Sequence, residues 1–222
     1  MSDPRAPGPA DLAEAARAAG VRDERLLAAI AWLPRAVFVP GELAAGAYLD
    51  EPVRITHQQV TTQPSLVAKM VEALALRGKE KVLEVGTGYG YQTALLAMLA
   101  RAVWSIELWQ DMVDAARASL TELGVTNATL LVGDGTCGLP DQAPFDAIIV
   151  TAAFPNVPPP LAEQLARRGR LVQPIGPGGL EDVRLFEKEG DELVARRSVT
   201  GAYFVPLYGE HGYALANAPA EP

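Results

Sequence analysis

Three glycines, Gly86, Gly88 and Gly90, follow the apolar stretch Val82-Leu83-Glu84-Val85, which carries a single acid, Glu84. Glycine lets the backbone turn with positive φ and approach a ligand closely, so a turn of this kind suits a nucleotide-like ligand. Another acid, Glu107, closes the apolar stretch Val103–Ile106, 17 residues after Gly90. A carboxylate there can accept hydrogen bonds from both hydroxyls of a ribose. In Gly133-Asp134-Gly135, Asp134 can accept from an adenine amino group while Gly135 keeps the wall thin. Elsewhere, Val60-Thr61-Thr62-Gln63-Pro64 sets two hydroxyls just before a proline suited to open a helix. Either threonine can cap that helix or donate to a substrate. No Ser-His-Asp or Cys-His set is evident, because Cys137 is the only cysteine and His57 and His211 are the only histidines. The same count excludes an intrachain disulfide and argues against a structural zinc site, with Cys137 read as packing.

These residues need elements to position them. Residues 1–10 hold three prolines and read as a loose arm. Apolar residues then recur at helical spacing over Asp11–Ala19 and Asp23–Trp32, with Asp11 and Asp23 as N-caps and Gly20 as a stop. A third helix opens at Pro64, with Leu66, Met70, Val71 and Leu74 as its apolar stripe. After Gly78 strands and helices alternate: strands at 82–85, 103–106, 128–132, 146–151 and 170–174, helices at 91–99, 111–123 and 161–167. That alternation predicts an α/β fold, a doubly wound and mostly parallel sheet. The tail predicts an antiparallel edge of two strands around Gly190 and a third at Gly201–Gly209. We divide the chain into a helical extension, residues 1–77, and a ligand-binding core, residues 78–222, packed as one unit.

In an open α/β sheet, ligands bind beyond the carboxyl ends of the strands where strand order reverses, and the first glycine turn forms one wall. A dinucleotide fingerprint would carry a third glycine where Tyr91 stands. Glu84 is a poor neighbour for a pyrophosphate and a good one for a positively charged ligand. The pattern Glu-x-Gly-x-Gly-x-Gly resembles that of S-adenosylmethionine-dependent methyltransferases, whose ligand carries an ammonium and a sulfonium. On that reading Glu84, Gly86, Thr87, Gly88, Tyr89, Gln92, Glu107, Asp134 and Gly135 contact the cofactor.

A more specific likeness covers about Leu26 to Leu207. Its pieces are "LPRAVFVP", "AYLDEPVRI", "TTQPSLVAKMVEAL", "KVLEVGTGYGYQTALLAML", "VGDGTCGLPDQAPFDAIIVTAA", "LAEQLARRGRLVQPIG" and "YFVPL". Together they resemble the protein-L-isoaspartate O-methyltransferases, which methylate the abnormal carboxylate of isoaspartyl residues. The resemblance implies that Thr62 takes the place of a catalytic serine in a Thr-Ile-Ser-Gln-Pro stretch. It places Val60 and Thr61 beside the cofactor, and Gln59, Ser65 and Tyr208 beside the substrate. It implies isoaspartyl proteins or peptides as partners and repair through a succinimide. Three rivals remain: an aspartyl methyltransferase of one dedicated peptide forming an aspartimide, a nicotinamide-dependent oxidoreductase, and a binding module without catalysis.

Composition narrows the classes. The chain has 222 residues, 27 acids against 19 bases and a net charge of −8, without a basic block. Nucleic acid is therefore not an expected partner. The N-terminus lacks an apolar signal core, and Thr93–Trp104 is too short to span a bilayer. A cytoplasmic monomer away from membranes is expected.

Overall fold

The computed structural model describes residues 7–214. Helices α1 (Pro9–Ala18), α2 (Glu24–Trp32) and α3 (Pro64–Ala73) open the chain, with a short hairpin of β1 (Val53–Arg54) and β2 (Val60–Thr61) between α2 and α3. Asp23 caps α2 by accepting from the N–H groups of Arg25 and Leu26, as expected. Asp11 does not cap α1. It lies inside the first turn, where its carboxylate accepts the Gly8 N–H at 2.6 Å, because the helix already begins at Pro9. Of the expected arm, residues 1–6 lie outside the described residues.

The alternating part follows: β3 (Lys81–Val85), α4 (Tyr91–Leu99), β4 (Ala102–Glu107), α5 (Gln110–Glu122), β5 (Ala128–Val132), β6 (Phe145–Val150), α6 (Pro159–Gln164) and β7 (Leu165–Ile175). β8 (Glu181–Glu189) and β9 (Glu192–Ala202) complete one seven-stranded sheet of order β5-β4-β3-β6-β7-β8-β9. The strands from β5 to β7 are parallel, and β8 and β9 add an antiparallel edge. Strand order reverses between β3 and β6, so the crevice above their carboxyl ends is the expected ligand position. β3 is buried along Val82–Val85, as a central strand covered on both faces must be. One apolar cluster runs from Leu12 on α1 through α3 and α4 to Val172 and Val183, joining the N-terminal helices to the sheet. No described helix is long and apolar enough to cross a membrane.

Two further expectations fail. The helix expected over 161–167 ends at Gln164, because Leu165 is drawn into the sheet beside Phe145. Ala166–Gly169 then bulges out, with Arg168 at φ 61°, before pairing resumes at Arg170 with Ala147. Strand pairing here overrides a local helical pattern. Nor does the third edge strand expected over Gly201–Gly209 form, since Gly201 and Ala202 end β9 and Tyr203–Tyr208 leaves the edge. Ala153 donates to the Val205 carbonyl and accepts from the Leu207 N–H, both at 2.8 Å. The segment thus turns across the strand ends at Pro206, which has no N–H to extend an edge.

Candidate active site

A cleft of about 970 Å³, measured out to its open mouth, lies over the ends of β3, β4 and β6. Its floor is the turn after β3. Gly86 (φ 95°), Gly88 (φ 54°) and Gly90 (φ 94°) all take left-handed backbone. A Cβ on Gly86 would lie 2.1 Å from Thr151 Oγ1, so the turn also needs glycine for space. Gly135 closes in from the neighbouring turn, where a Cβ would meet Val85 Cγ1 at 2.5 Å.

Glu107 sits at the end of β4, 8 % exposed on the cleft wall. Its Oε2 accepts the Gly88 N–H at 2.9 Å, and its Oε1 accepts from Leu108 at 2.7 Å. Burial raises its pKa, against the opposing effect of these backbone donors. Oε1 also accepts from the Trp109 N–H at 3.4 Å, whereas Oε2 keeps a lone pair turned to a further donor such as a ribose hydroxyl.

Glu84 is placed differently from the expectation. It is fully buried and does not line the cleft. Its Oε1 accepts from Gln92 Nε2 at 2.8 Å, and its Oε2 from Thr93 Oγ1 at 2.5 Å and Ser105 Oγ at 2.6 Å. Burial pushes its pKa up to about 7 despite those three donors. Glu84 thus ties β3 to α4 and β4 beneath the turn, and positions the wall from behind it. Gln92 itself lines the cleft, as do Thr87 and Tyr89. The Thr87 hydroxyl is held 2.5 Å from Ser105 Oγ, which links it to the same network.

Asp134 also departs from its expected place. Its Oδ1 accepts from the Thr136 N–H and hydroxyl at 2.8 and 2.6 Å, and its Oδ2 from the Glu210 N–H at 2.6 Å. It faces a recess beside the cleft, with Leu108 and Gly209, and fastens the C-terminal turn. Burial alone would raise its pKa, but the donors hold it below the usual value.

The opposite wall belongs to the hairpin and the segment after it. Gln59, Val60, Thr61 and Thr62 all line the cleft, with Tyr208 contributed by the C-terminal segment. Gln63 flanks the start of α3 without a capping side-chain bond, so neither threonine serves as a helix cap. Thr61 Oγ1 accepts from Arg35 Nη2 at 2.9 Å. The Thr62 carbonyl also faces that guanidinium, at 3.4 Å, while its hydroxyl has no partner among the described residues. Ser65, expected beside the substrate, is only 5 % exposed and is absent from the cleft wall. Asp50 Oδ1 accepts its N–H at 2.8 Å, and its hydroxyl accepts from Gln63 Nε2, so it belongs to the helix start.

Two contributors escape the sequence reading. Arg35 is completely buried and reaches the carbonyls of Ala47, Leu49 and Glu51 at 2.9–3.1 Å. Its signal is a lone charge inside "LPRAVFVP". Trp109, on the cleft wall, stacks on His57 with centroids 4.1 Å apart and planes 5° from parallel. His57 Nε2 lies 2.8 Å from Asp111 Oδ1, so the hairpin tip is latched to the start of α5. An aromatic two residues beyond Glu107 is the only hint of this in the sequence.

The fold and this glycine-floored cleft define a Rossmann-like, S-adenosylmethionine-dependent methyltransferase. The thin glycine cradle and the remaining lone pair of Glu107 Oε2 fit an adenosine-bearing ligand. The chain belongs to the protein-L-isoaspartate(D-aspartate) O-methyltransferase family, whose sequence profile matches residues 9–212. It is 49% identical to the protein-L-isoaspartate O-methyltransferase of Methanoculleus marisnigri, over 89% of both chains. It is 51% identical to that of Anaeromyxobacter dehalogenans strain 2CP-C, over 89% of this chain and 95% of the relative. A solved protein-L-isoaspartate O-methyltransferase superposes with a TM-score of 0.80 at 27% identity, covering 90% of this chain and 66% of that one. A Plasmodium falciparum structure in complex with S-adenosyl-L-homocysteine shares the fold, with TM-score 0.78 at 20% identity over 90% of this chain and 98% of that one.

Proposed function

We propose that this protein transfers a methyl group from S-adenosylmethionine to the free carboxylate of isoaspartyl residues in proteins and peptides, with the Thr62 hydroxyl orienting that carboxylate. The observation that carries the role of Thr62 is the contrast between neighbours. Thr61 is engaged by Arg35, whereas the Thr62 hydroxyl lines the same cleft as the glycine turn and has no partner among the described residues.

Bound S-adenosylmethionine supplies a methyl on a cationic sulfur that leaves as a neutral thioether. The attacking carboxylate, of pKa about 4, is already ionised at neutral pH, so no general base is needed. The new bond is carboxylate oxygen to methyl carbon, and the carbon–sulfur electrons stay with sulfur. The chain's task is alignment and exclusion of water, which can contribute on the order of 7–11 kcal/mol in ideal cases. Glu107 and the glycine turn hold the adenosine side. Val60, Thr61 and Gln59 close the opposite side, with the hairpin latched over the cleft by His57 on Trp109. Donation from Thr62 fixes one carboxylate oxygen. The methyl ester acylates more readily than the carboxylate, so the substrate's own amide nitrogen can then attack the ester carbonyl and close a succinimide with loss of methanol, the entry to repair. Residues 1–77 serve as the substrate-side cover and residues 78–222 as the cofactor-binding core, in a cytoplasmic monomer with no nucleic-acid partner.

Incubation with radiolabelled S-adenosylmethionine and paired isoaspartyl and aspartyl peptides tests the reading. Base-labile label should enter the isoaspartyl peptide only. Labelling of neither, with cofactor binding intact, would sink it, and labelling of the aspartyl peptide alone would replace it with dedicated aspartyl methylation.

A further inference from the structure

Beside the cleft, the turn after β5 meets the C-terminal turn. The Glu210 N–H donates to Asp134 Oδ2 at 2.6 Å, and the His211 N–H donates to Thr136 Oγ1 at 3.1 Å. These bonds pin residues 210 and 211 against residues 134–137 and bring three unlike donor side chains together. Cys137 Sγ lies 3.9 Å from Glu210 Oε2, and His211 Nε2 lies 4.0 Å from Glu210 Oε1. One donor atom from each of Cys137, Glu210 and His211 falls within 4.8 Å of the other two. The turn that carries two of them has little freedom. A Cβ on Gly209 would meet Asp134 Oδ1 at 2.1 Å, and one on Gly212 would meet the Leu207 carbonyl oxygen at 2.3 Å.

We infer that Cys137, Glu210 and His211 form a binding site for a borderline-soft divalent cation such as zinc, which fastens the C-terminal turn to the turn after β5. A thiolate, an imidazole and a carboxylate are the donor types zinc takes, at about 2.3 Å for sulfur and about 2.0–2.2 Å for nitrogen and oxygen. Tetrahedral ligation at those lengths needs donor atoms roughly 3.3–3.7 Å apart, so the three must close only modestly around an ion. Sulfur and nitrogen donors disfavour magnesium and calcium, which take oxygen. The carboxylate of Asp134 adds negative charge alongside without being a ligand. Three protein ligands leave a fourth position for water. The site spans 73 residues between Cys137 and Glu210, and a count of one cysteine and two histidines gives no sign of it.

The test uses the full chain, reduced, metal-stripped and without a chelating tag, titrated with Co²⁺ and followed by absorption. One equivalent should produce a thiolate-to-cobalt charge-transfer band and tetrahedral-strength visible bands, both displaced by zinc. Cys137→Ser should abolish the charge-transfer band with the circular dichroism unchanged, and His211→Ala should weaken cobalt binding about tenfold or more. Zinc should slow amide exchange over residues 209–213. Absence of the charge-transfer band at saturating cobalt, its survival in Cys137→Ser, or unaltered affinity in His211→Ala would overturn the site. Unchanged exchange would overturn the fastening. If Cys137→Ser fails to fold, the wild-type band and its displacement by zinc decide the question.

Discussion

On the sheet side of the cleft, the ionisable group buried wholly behind the wall is Glu84, surrounded by the side-chain donors of Gln92, Thr93 and Ser105. On the cover side it is Arg35, surrounded chiefly by main-chain carbonyls of residues 47–51 and by Thr61. A carboxyl can take a proton and become neutral, and burial drives Glu84 that way, to a pKa of about 7. A guanidinium remains a cation at any ordinary pH, so its burial requires acceptors, which Arg35 finds for Nη1 and Nη2 but not for Nε among the described residues. The glycine-turn wall therefore rests on a network around a carboxyl that burial pushes up to about 7, and the hairpin wall on one around a permanent cation. The two sides also differ in what they ask of the sequence. Glu84 needs partners of particular types, whereas Arg35, apart from the Thr61 hydroxyl, uses carbonyls that any sequence supplies.

The largest effect should come from Arg35→Met. It leaves the carbonyls of Ala47, Leu49 and Glu51 and the Thr61 hydroxyl short of a donor, at a cost of about 3–5 kcal/mol. Denaturant unfolding measures the loss, and amide exchange should show residues 47–62 opening first. Equal loosening of β3 and β4 would erase the distinction between the two sides.

Next comes the pH dependence of Glu84. The folded protein holds a proton there that the unfolded chain releases above its ordinary pKa of 4.5. The stability contributed by this group is therefore full below pH 4.5 and is lost as pH rises to about 7. Relative to Glu84→Gln, the wild type should lose on the order of 3 kcal/mol across that window and nothing further above it. A constant difference between the two proteins would mean that Glu84 is ionised throughout.

Smaller changes separate cofactor from substrate. Glu107→Ala should weaken S-adenosylhomocysteine binding about tenfold to a hundredfold by calorimetry, the equivalent of losing one or two hydrogen bonds to a charged group. Thr62→Ala should leave that affinity unchanged and lower turnover on an isoaspartyl peptide about tenfold, with Thr62→Ser restoring it. A Thr62→Ala protein with normal turnover would remove the hydroxyl from its role.

Much of the architecture was legible because its signals are local. Tyr91–Leu99 and Ala128–Val132 have the observed bounds of α4 and β5, since apolar period and glycine punctuation set both within a few residues. The 161–167 helix and the 203–208 strand were misread because pairing with Phe145 and Ala153, distant in sequence, decided them. At the cleft, Gly86, Gly88, Gly135, Glu107 and the Val60–Thr62 stretch were found from type and position and do line it. Glu84, Asp134 and Ser65 were recognised as special, but Glu84 and Ser65 turn inward and Asp134 faces the neighbouring recess, which no spacing reveals.

The sequence by itself determined the parallel sheet, the glycine floor and the family, because these depend on periodicity and on residues within one strand–turn–helix unit. Only the tertiary structure decided which acids face the cleft and which threonine keeps a free hydroxyl. It also alone brought His57 onto Trp109, and Cys137 beside His211. Those outcomes depend on burial and on contacts between distant segments, and a side chain's direction follows from what packs against it.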